Sequence, residues 1–188
     1  EDDFSLEEKL RRERARLMTT GVTSYVTCDT GSMLVPLGGA LIMLDDIHRS
    51  KTTRKVVEGN TSDKDNGNGN GLPPQPLLDA KLSKDGSTVA FVCDDEVYVM
   101  STADASTDSK SKSPKQITTG ARGVDGTTNG IADYVAQEEL DRYDGFWLSP
   151  HGTQLLFEQV DESHIPSYRI THQGDDKGLS PTLEEHMS

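Results

Sequence analysis

A chain of 188 residues with 19 basic and 32 acidic side chains carries a formal charge of −13, which argues against nucleic acid as its main partner, because phosphate recognition needs a concentrated basic surface. Hydrophobic residues make up 32%, below the ~45 to 50% usual for globular domains, so the core is expected to be thin. No stretch approaches the ~20 apolar residues of a membrane-spanning helix.

The first expected element is a charged helix from about Leu6 to Leu17, opened by the capping-box pattern Ser5-Leu6-Glu7-Glu8 and ended by Gly21. Its basic cluster, Arg11 to Arg16, alternates with Glu7, Glu8 and Glu13. The pairs Glu7 with Arg11 and Glu8 with Arg12 are spaced i to i+4, which favours a solvated helical face over a phosphate-binding patch.

Beyond Gly21 the period changes to that of strands. Met33–Leu37 and Ala40–Leu44 flank Gly38-Gly39, a dipeptide that supplies the positive φ angles of a tight hairpin. Pro36 inside the first of these strands suggests a sheet edge. Thr88–Val92 and Glu96–Met100 flank Cys93-Asp94-Asp95 in the same way, and Val97 and Val99 against Glu96 and Tyr98 read as a strand with one buried face. Thr153 to Val160 begins a third unit. Two stretches between these units, Asn60 to Gly71 and Ser101 to Lys115, are almost wholly polar and are expected to be exposed, mobile loops.

The three units overlay. Asp29-Thr30-Gly31, Lys84-Asp85-Gly86 and Pro150-His151-Gly152 each read as a turn closing into a strand, with Ser83 and Ser149 three residues before their glycines. Their spacing exceeds the ~40 to 50 residues of a propeller repeat, and the polar loops account for the excess. Repeated β-meanders of this kind predict an all-β fold, a partial β-propeller of about three blades. Cys28 and Cys93 fall in different units and read as unpaired small core residues.

Chemistry-bearing residues are few. His48, His151, His164, His172 and His186 are scattered without zinc spacing, and Asp63 to Gly69 fails as a calcium loop because its glycine is displaced and Pro74 stands where a glutamate is required. No Gly-x-Ser-x-Gly elbow occurs, so no catalytic residue is assigned. No metal or cofactor is expected. What remains is the acidic run Asp133-Tyr134-Val135-Ala136-Gln137-Glu138-Glu139, followed by Asp141-Arg142 and Gly145-Phe146-Trp147. Gly130 and Gly145 bracket it as a short helical insertion that Asp133 can cap. By itself a Glu-Glu pair is a solvated helix end, because neighbouring helical residues point about 100 degrees apart. Tyr134, Phe146 and Trp147 read as core aromatics.

The stretch from Gly130 to Trp147 resembles the double-glutamate motif of the dipeptidyl peptidase IV family, serine exopeptidases of the prolyl oligopeptidase superfamily, and looks most like its cytosolic branch. Arg11-Arg12-Glu13-Arg14 with Gly21 to Tyr25, and Asp161-Glu162-Ser163 with Ile165-Pro166 and Tyr168-Arg169-Ile170, extend the resemblance over about Glu8 to Gly174. Tyr134 stands where many members carry Trp, and Ala136 where some carry Tyr. The resemblance implies that Glu138 and Glu139 bind the ammonium of a peptide's free N-terminus, in a parent that releases X-Pro or X-Ala dipeptides and carries its triad in a C-terminal α/β-hydrolase domain absent here. It allows a homodimer of that parent and favours the cytoplasm. The chain then divides into a charged helix (1–20), a partial propeller (21–174) and a polar tail (175–188), a piece of a longer protein. The alternative reading is a non-catalytic propeller scaffold that binds protein or peptide.

Overall fold

The computed structural model describes residues 22, 24–37, 39–49, 52–59, 72–104, 113–172 and 182–187, the pair 167–172 and 182–187 as backbone alone. The expected N-terminal helix, the loop Asn60 to Gly71 and residues 105–112 of the second loop lie outside these.

Two complete four-stranded antiparallel sheets come first. The first is β1 (Val26–Thr27), β2 (Met33–Leu37), β3 (Ala40–Leu44) and β4 (Thr53–Glu58), hydrogen-bonded in chain order. The second repeats the order with β5 (Leu78–Leu82), β6 (Thr88–Cys93), β7 (Glu96–Ser101) and β8 (Lys115–Gln116). Both expected hairpins form. In the second, Cys93 pairs with Glu96 across Asp94 and Asp95, whose φ angles of 53° and 59° are those of a type I′ turn. The second polar loop is shorter than its composition suggests, because β7 runs to Ser101 and a 3₁₀ turn follows at Thr102–Asp104. The Thr102 hydroxyl donates to the carbonyls of Gly86 and Ser87, at 2.8 and 3.2 Å, and draws the turn inward.

The third sheet has a divided first strand. β9 (Thr127–Asn129) and β10 (Phe146–Leu148) are separated by helix α1 (Tyr134–Glu138). Both pair with one return run, β11 (Leu155–Phe157) for β10 and β12 (Gln159–Asp161) for β9. A hairpin of β13 (Ser167–His172) and β14 (Thr182–Met187) follows, so the described part of the expected polar tail is a strand.

The sheets stack face to face. Leu34, Leu41, Met43, Val56 and Val57 of the first meet Val89, Phe91, Cys93, Tyr98 and Met100 of the second. On the opposite face of the second sheet, Ala90, Val92 and Val97 meet Phe146 of the third. Full burial of side chains such as Phe91 and Phe146 stabilises by about 1.5 to 3 kcal/mol each. The middle sheet is thus covered on both sides, which corrects the expectation of one buried face for β7: Glu96, Val97 and Tyr98 are all buried. Pro36 also needs a different reason, since β2 lies inside its sheet. A two-residue loop makes Leu37 and Ala40 the hydrogen-bonded pair, so the Pro36 nitrogen points to the β1 side, where pairing has already ended at Leu34.

The three repeated turns are one structure. Gly31, Gly86 and Gly152 have φ of 84°, 74° and 62° and donate to the carbonyls of Cys28, Ser83 and Ser149 at 3.1, 2.9 and 2.9 Å. The turns also nest: Asp29 N–H donates to Lys84 O at 2.7 Å and Asp85 N–H to Pro150 O at 3.3 Å. A Cβ on Gly152 would stand 2.4 Å from Thr88 Oγ1, so glycine is required by close approach as well as by φ. Three successive antiparallel sheets joined in this way form an all-β partial propeller.

Candidate functional site

The acidic motif sits on a footed insertion within the first strand of the third sheet. Its two ends meet at an isolated bridge between Ile131 and Asp144. Beside that bridge Glu158, between β11 and β12, serves both feet: its N–H donates to Gly145 O and its carbonyl accepts from Gly130 N–H, each at 2.9 Å. The approach is so close that a Cβ on Gly145 would lie 2.5 Å from the backbone of Gly130 and Ile131. The two glycines that bracket the motif in sequence are therefore the neck in space.

Above the neck, α1 is only five residues long, too short to persist on its own propensity. Side chains hold it. Asp133 caps it, accepting from Ala136 N–H at 2.9 Å. Gln137, buried with Ala136, donates its amide to Ala132 O at 2.6 Å. Glu138 ends the helix and Glu139 is its C-cap, with its N–H on Val135 O at 2.9 Å. Both glutamates are exposed. The structure thus places both at the exposed C-terminal end of a helix whose other side is pinned.

Long-range contacts fix the C-terminal foot. Arg142 Nη1 donates to Asp144 O at 2.7 Å and lies 2.9 and 3.0 Å from the two carboxylate oxygens of Glu158. Hydrogen bonding to Glu158 holds its guanidinium above the ordinary arginine value. Lys81, from β5 of the second sheet, donates to Asp144 Oδ1 at 2.5 Å and to Phe146 O at 2.6 Å, with its ammonium 4.6 Å from the centre of the Phe146 ring. At the N-terminal foot, Asn129 donates to Glu96 Oε2 at 2.9 Å and accepts from Gln159 at 3.0 Å. Glu96 is wholly buried yet charged: burial raises its pKa, but hydrogen bonds from Thr118, Asn129, Ala121 and Arg122 outweigh this and leave it lowered.

The motif's aromatics divide. Phe146 is core, whereas Tyr134 and Trp147 are exposed, 49% and 38%, which corrects the expectation for both. Phe146 packs against Ala90, Val92 and Val97 of the second sheet, whereas the Trp147 ring stands at the surface with the Lys81 ammonium 5.9 Å from its centre. Cys28 and Cys93 are both free. Among the described residues, no group of three His, Cys, Asp or Glu side chains is placed to hold a metal ion, and no helix is long and apolar enough to cross a membrane. His151 lies 3.5 Å from Asp85 in the neighbouring turn. Arg142, Glu158, Lys81, Glu96 and Asn129 carried no local signal for these contacts. The paired glycines alone marked where a neck would form.

Known proteins place the chain. Residues 41–186 match the family described as the Dipeptidyl peptidase IV (DPP IV) N-terminal region. Human dipeptidyl peptidase 8 is 25% identical over 96% of the chain, and a probable dipeptidyl peptidase 4 of Aspergillus clavatus 32% identical over 57%. The chain spans only a fifth of the former's length, 20%, and 13% of the latter's. The crystal structure of Porphyromonas gingivalis dipeptidyl peptidase 4 shares the fold, with a TM-score of 0.55 at 20% identity over 88% of this chain and 19% of that one. The matched span covers well over half of the chain, and the chain belongs to the dipeptidyl peptidase IV N-terminal-region family.

Proposed function

We propose that this chain is the propeller portion of a serine-type dipeptidyl peptidase, in which Glu138 and Glu139 anchor the ammonium of a peptide's free N-terminus. The observation that carries this reading is the placement of two exposed carboxylates at the end of a helix fixed at both feet. An ammonium held there can reach a nucleophile through only a set length of peptide, so the pair acts as a ruler that favours dipeptide release, and blocked N-termini are rejected. The nucleophile, acid and histidine belong to an α/β-hydrolase domain of the parent, and release of X-Pro or X-Ala dipeptides follows from the family resemblance. The same resemblance favours a cytoplasmic parent and allows a homodimer of it.

The test is made in the complete parent. Where bound substrate excludes water from the pair in the complete parent, removing one carboxylate costs about 2 to 5 kcal/mol, roughly 30-fold to several-thousand-fold in kcat/KM. Glu138→Gln and Glu139→Gln are each expected to lose activity on Gly-Pro-p-nitroanilide by that range. Lys55→Gln breaks an exposed pair with Glu58 and serves as the control. If the glutamine variants cleave as well as Lys55→Gln, the pair is surface charge and the anchor assignment fails; a complete parent that cleaves nothing would favour the non-catalytic scaffold.

A further inference from the structure

Glu138 and Glu139 stand between two fixed points. Upstream, Gln137 is buried and bonded to Ala132 O. Downstream, Asp141 adopts a φ of 51°, which turns the chain back so that Arg142 N–H reaches Ala136 O at 2.9 Å. The Arg142 guanidinium then spans from Asp144 O to the Glu158 carboxylate, with Asp133 Oδ2, on the helix cap, 3.7 Å from Nη2. One arginine therefore touches the start of the insertion, its end and the strand beneath it. Glu158 holds the same insertion three times, by its N–H, its carbonyl and its carboxylate.

The Arg142–Glu158 pair is partly exposed, 35% and 27%. Ion pairs in such positions add little to overall stability, yet a planar guanidinium with several fixed acceptors defines geometry well. We propose that Arg142, held by Glu158, is a positioning residue for the Glu138–Glu139 pair: it sets where the two carboxylates stand above the neck, and with it the reach of the ruler. This rests on the assignment of that pair as the ammonium anchor. In this reading Arg142 acts through the glutamate pair and not on the substrate.

A positional error of about 1 Å can cost on the order of 100-fold in rate. In the complete parent, Arg142→Gln is therefore expected to lower kcat/KM for Gly-Pro-p-nitroanilide by roughly 10- to 100-fold, mainly through KM. Its inactivation by diisopropyl fluorophosphate, which phosphorylates a serine nucleophile and carries no amine, should stay within about twofold of the unsubstituted protein. Arg142→Lys, which keeps the charge but lacks the fork, should recover part of the loss. Glu158→Gln, which preserves size and backbone bonds, is judged by the same ratio and decides the matter if Arg142→Gln does not fold. Parallel losses toward both reagents would mean a general structural role and overturn the proposal. So would full activity in Arg142→Gln while Glu138→Gln is impaired, which would leave the anchor standing without its positioning residue. If Glu138→Gln is itself fully active, the anchor assignment has failed first.

Discussion

Glu96→Gln is the sharpest test of how the insertion's N-terminal foot is held. The carboxylate has no exposed surface and accepts four hydrogen bonds: Oε1 from Ala121 N–H at 2.8 Å and Arg122 N–H at 3.1 Å, and Oε2 from Thr118 Oγ1 at 2.6 Å and Asn129 Nδ2 at 2.9 Å. A glutamine keeps the shape but must place its NH₂ on one side. Facing the two backbone amides it would lose both bonds, so the better orientation sets it against Asn129, donor to donor, with the Thr118 hydroxyl turning to accept. Asn129 cannot turn over without breaking its bond from Gln159. The loss is one charge-assisted bond, about 1.5 to 3 kcal/mol, plus one buried unsatisfied donor, about 1 to 3 kcal/mol. Together about 2.5 to 6 kcal/mol is expected, which at roughly 2 kcal/mol per molar urea lowers the unfolding midpoint by about 1 to 3 M. The pH dependence has a definite sign. The folded pKa lies below the ordinary 4.5, so the contribution is complete above that value and is lost as pH falls through the lowered folded pKa. Acid titration of stability should accordingly be steeper in the unsubstituted chain than in Glu96→Gln. A midpoint shift under about 0.3 M, or identical acid profiles, would refute the account of Glu96 as the acceptor that joins the second sheet to β9.

Gly145→Ala places a methyl 2.5 Å from backbone atoms that cannot yield, so it should cost at the upper end of the ~1 to 3 kcal/mol of overpacking and speed hydrogen exchange at Gly130 and Glu158; unchanged exchange there would remove the neck as described. A thiol reagent such as Ellman's at pH 8 should label Cys28 quickly and Cys93 slowly. Burial, reinforced by Asp94, pushes the Cys93 thiol up to about 12, whereas hydrogen bonds with Thr30 and Ser32 outweigh partial burial at Cys28 and lower it. Equal rates would contradict the sheet packing. The isolated chain should release no p-nitroaniline from Gly-Pro-p-nitroanilide, because the elbow that supplies a nucleophile does not occur in its sequence; turnover that survives rigorous purification would overturn that reading.

Local chemistry was legible in the sequence by itself. Gly38-Gly39 marks a two-residue hairpin because few residues tolerate positive φ, Cys93 to Asp95 marks a second whose loop the structure shortens to Asp94 and Asp95, and the recurrence of Gly31, Gly86 and Gly152 determines three equivalent turns. Asp133 announces its helix because an acceptor at that position meets free amides. Where such signals led astray, they were read one strand at a time. Glu96 in an alternating strand looked exposed and Trp147 looked buried, because hydrophobicity along one strand does not say whether a second sheet covers its other face; Tyr134 looked buried, but it lies on α1, which buries only Ala136 and Gln137. Only the tertiary structure decided that the middle sheet is enclosed, that β9 and β10 share one partner run, and that Lys81 and Glu158 reach the foot of the helix bearing Glu138 and Glu139. Those contacts join residues 16 to 63 positions apart, Arg142 to Glu158 and Lys81 to Asp144, and a charge on the sequence carries no mark of the partner that folding will bring to it.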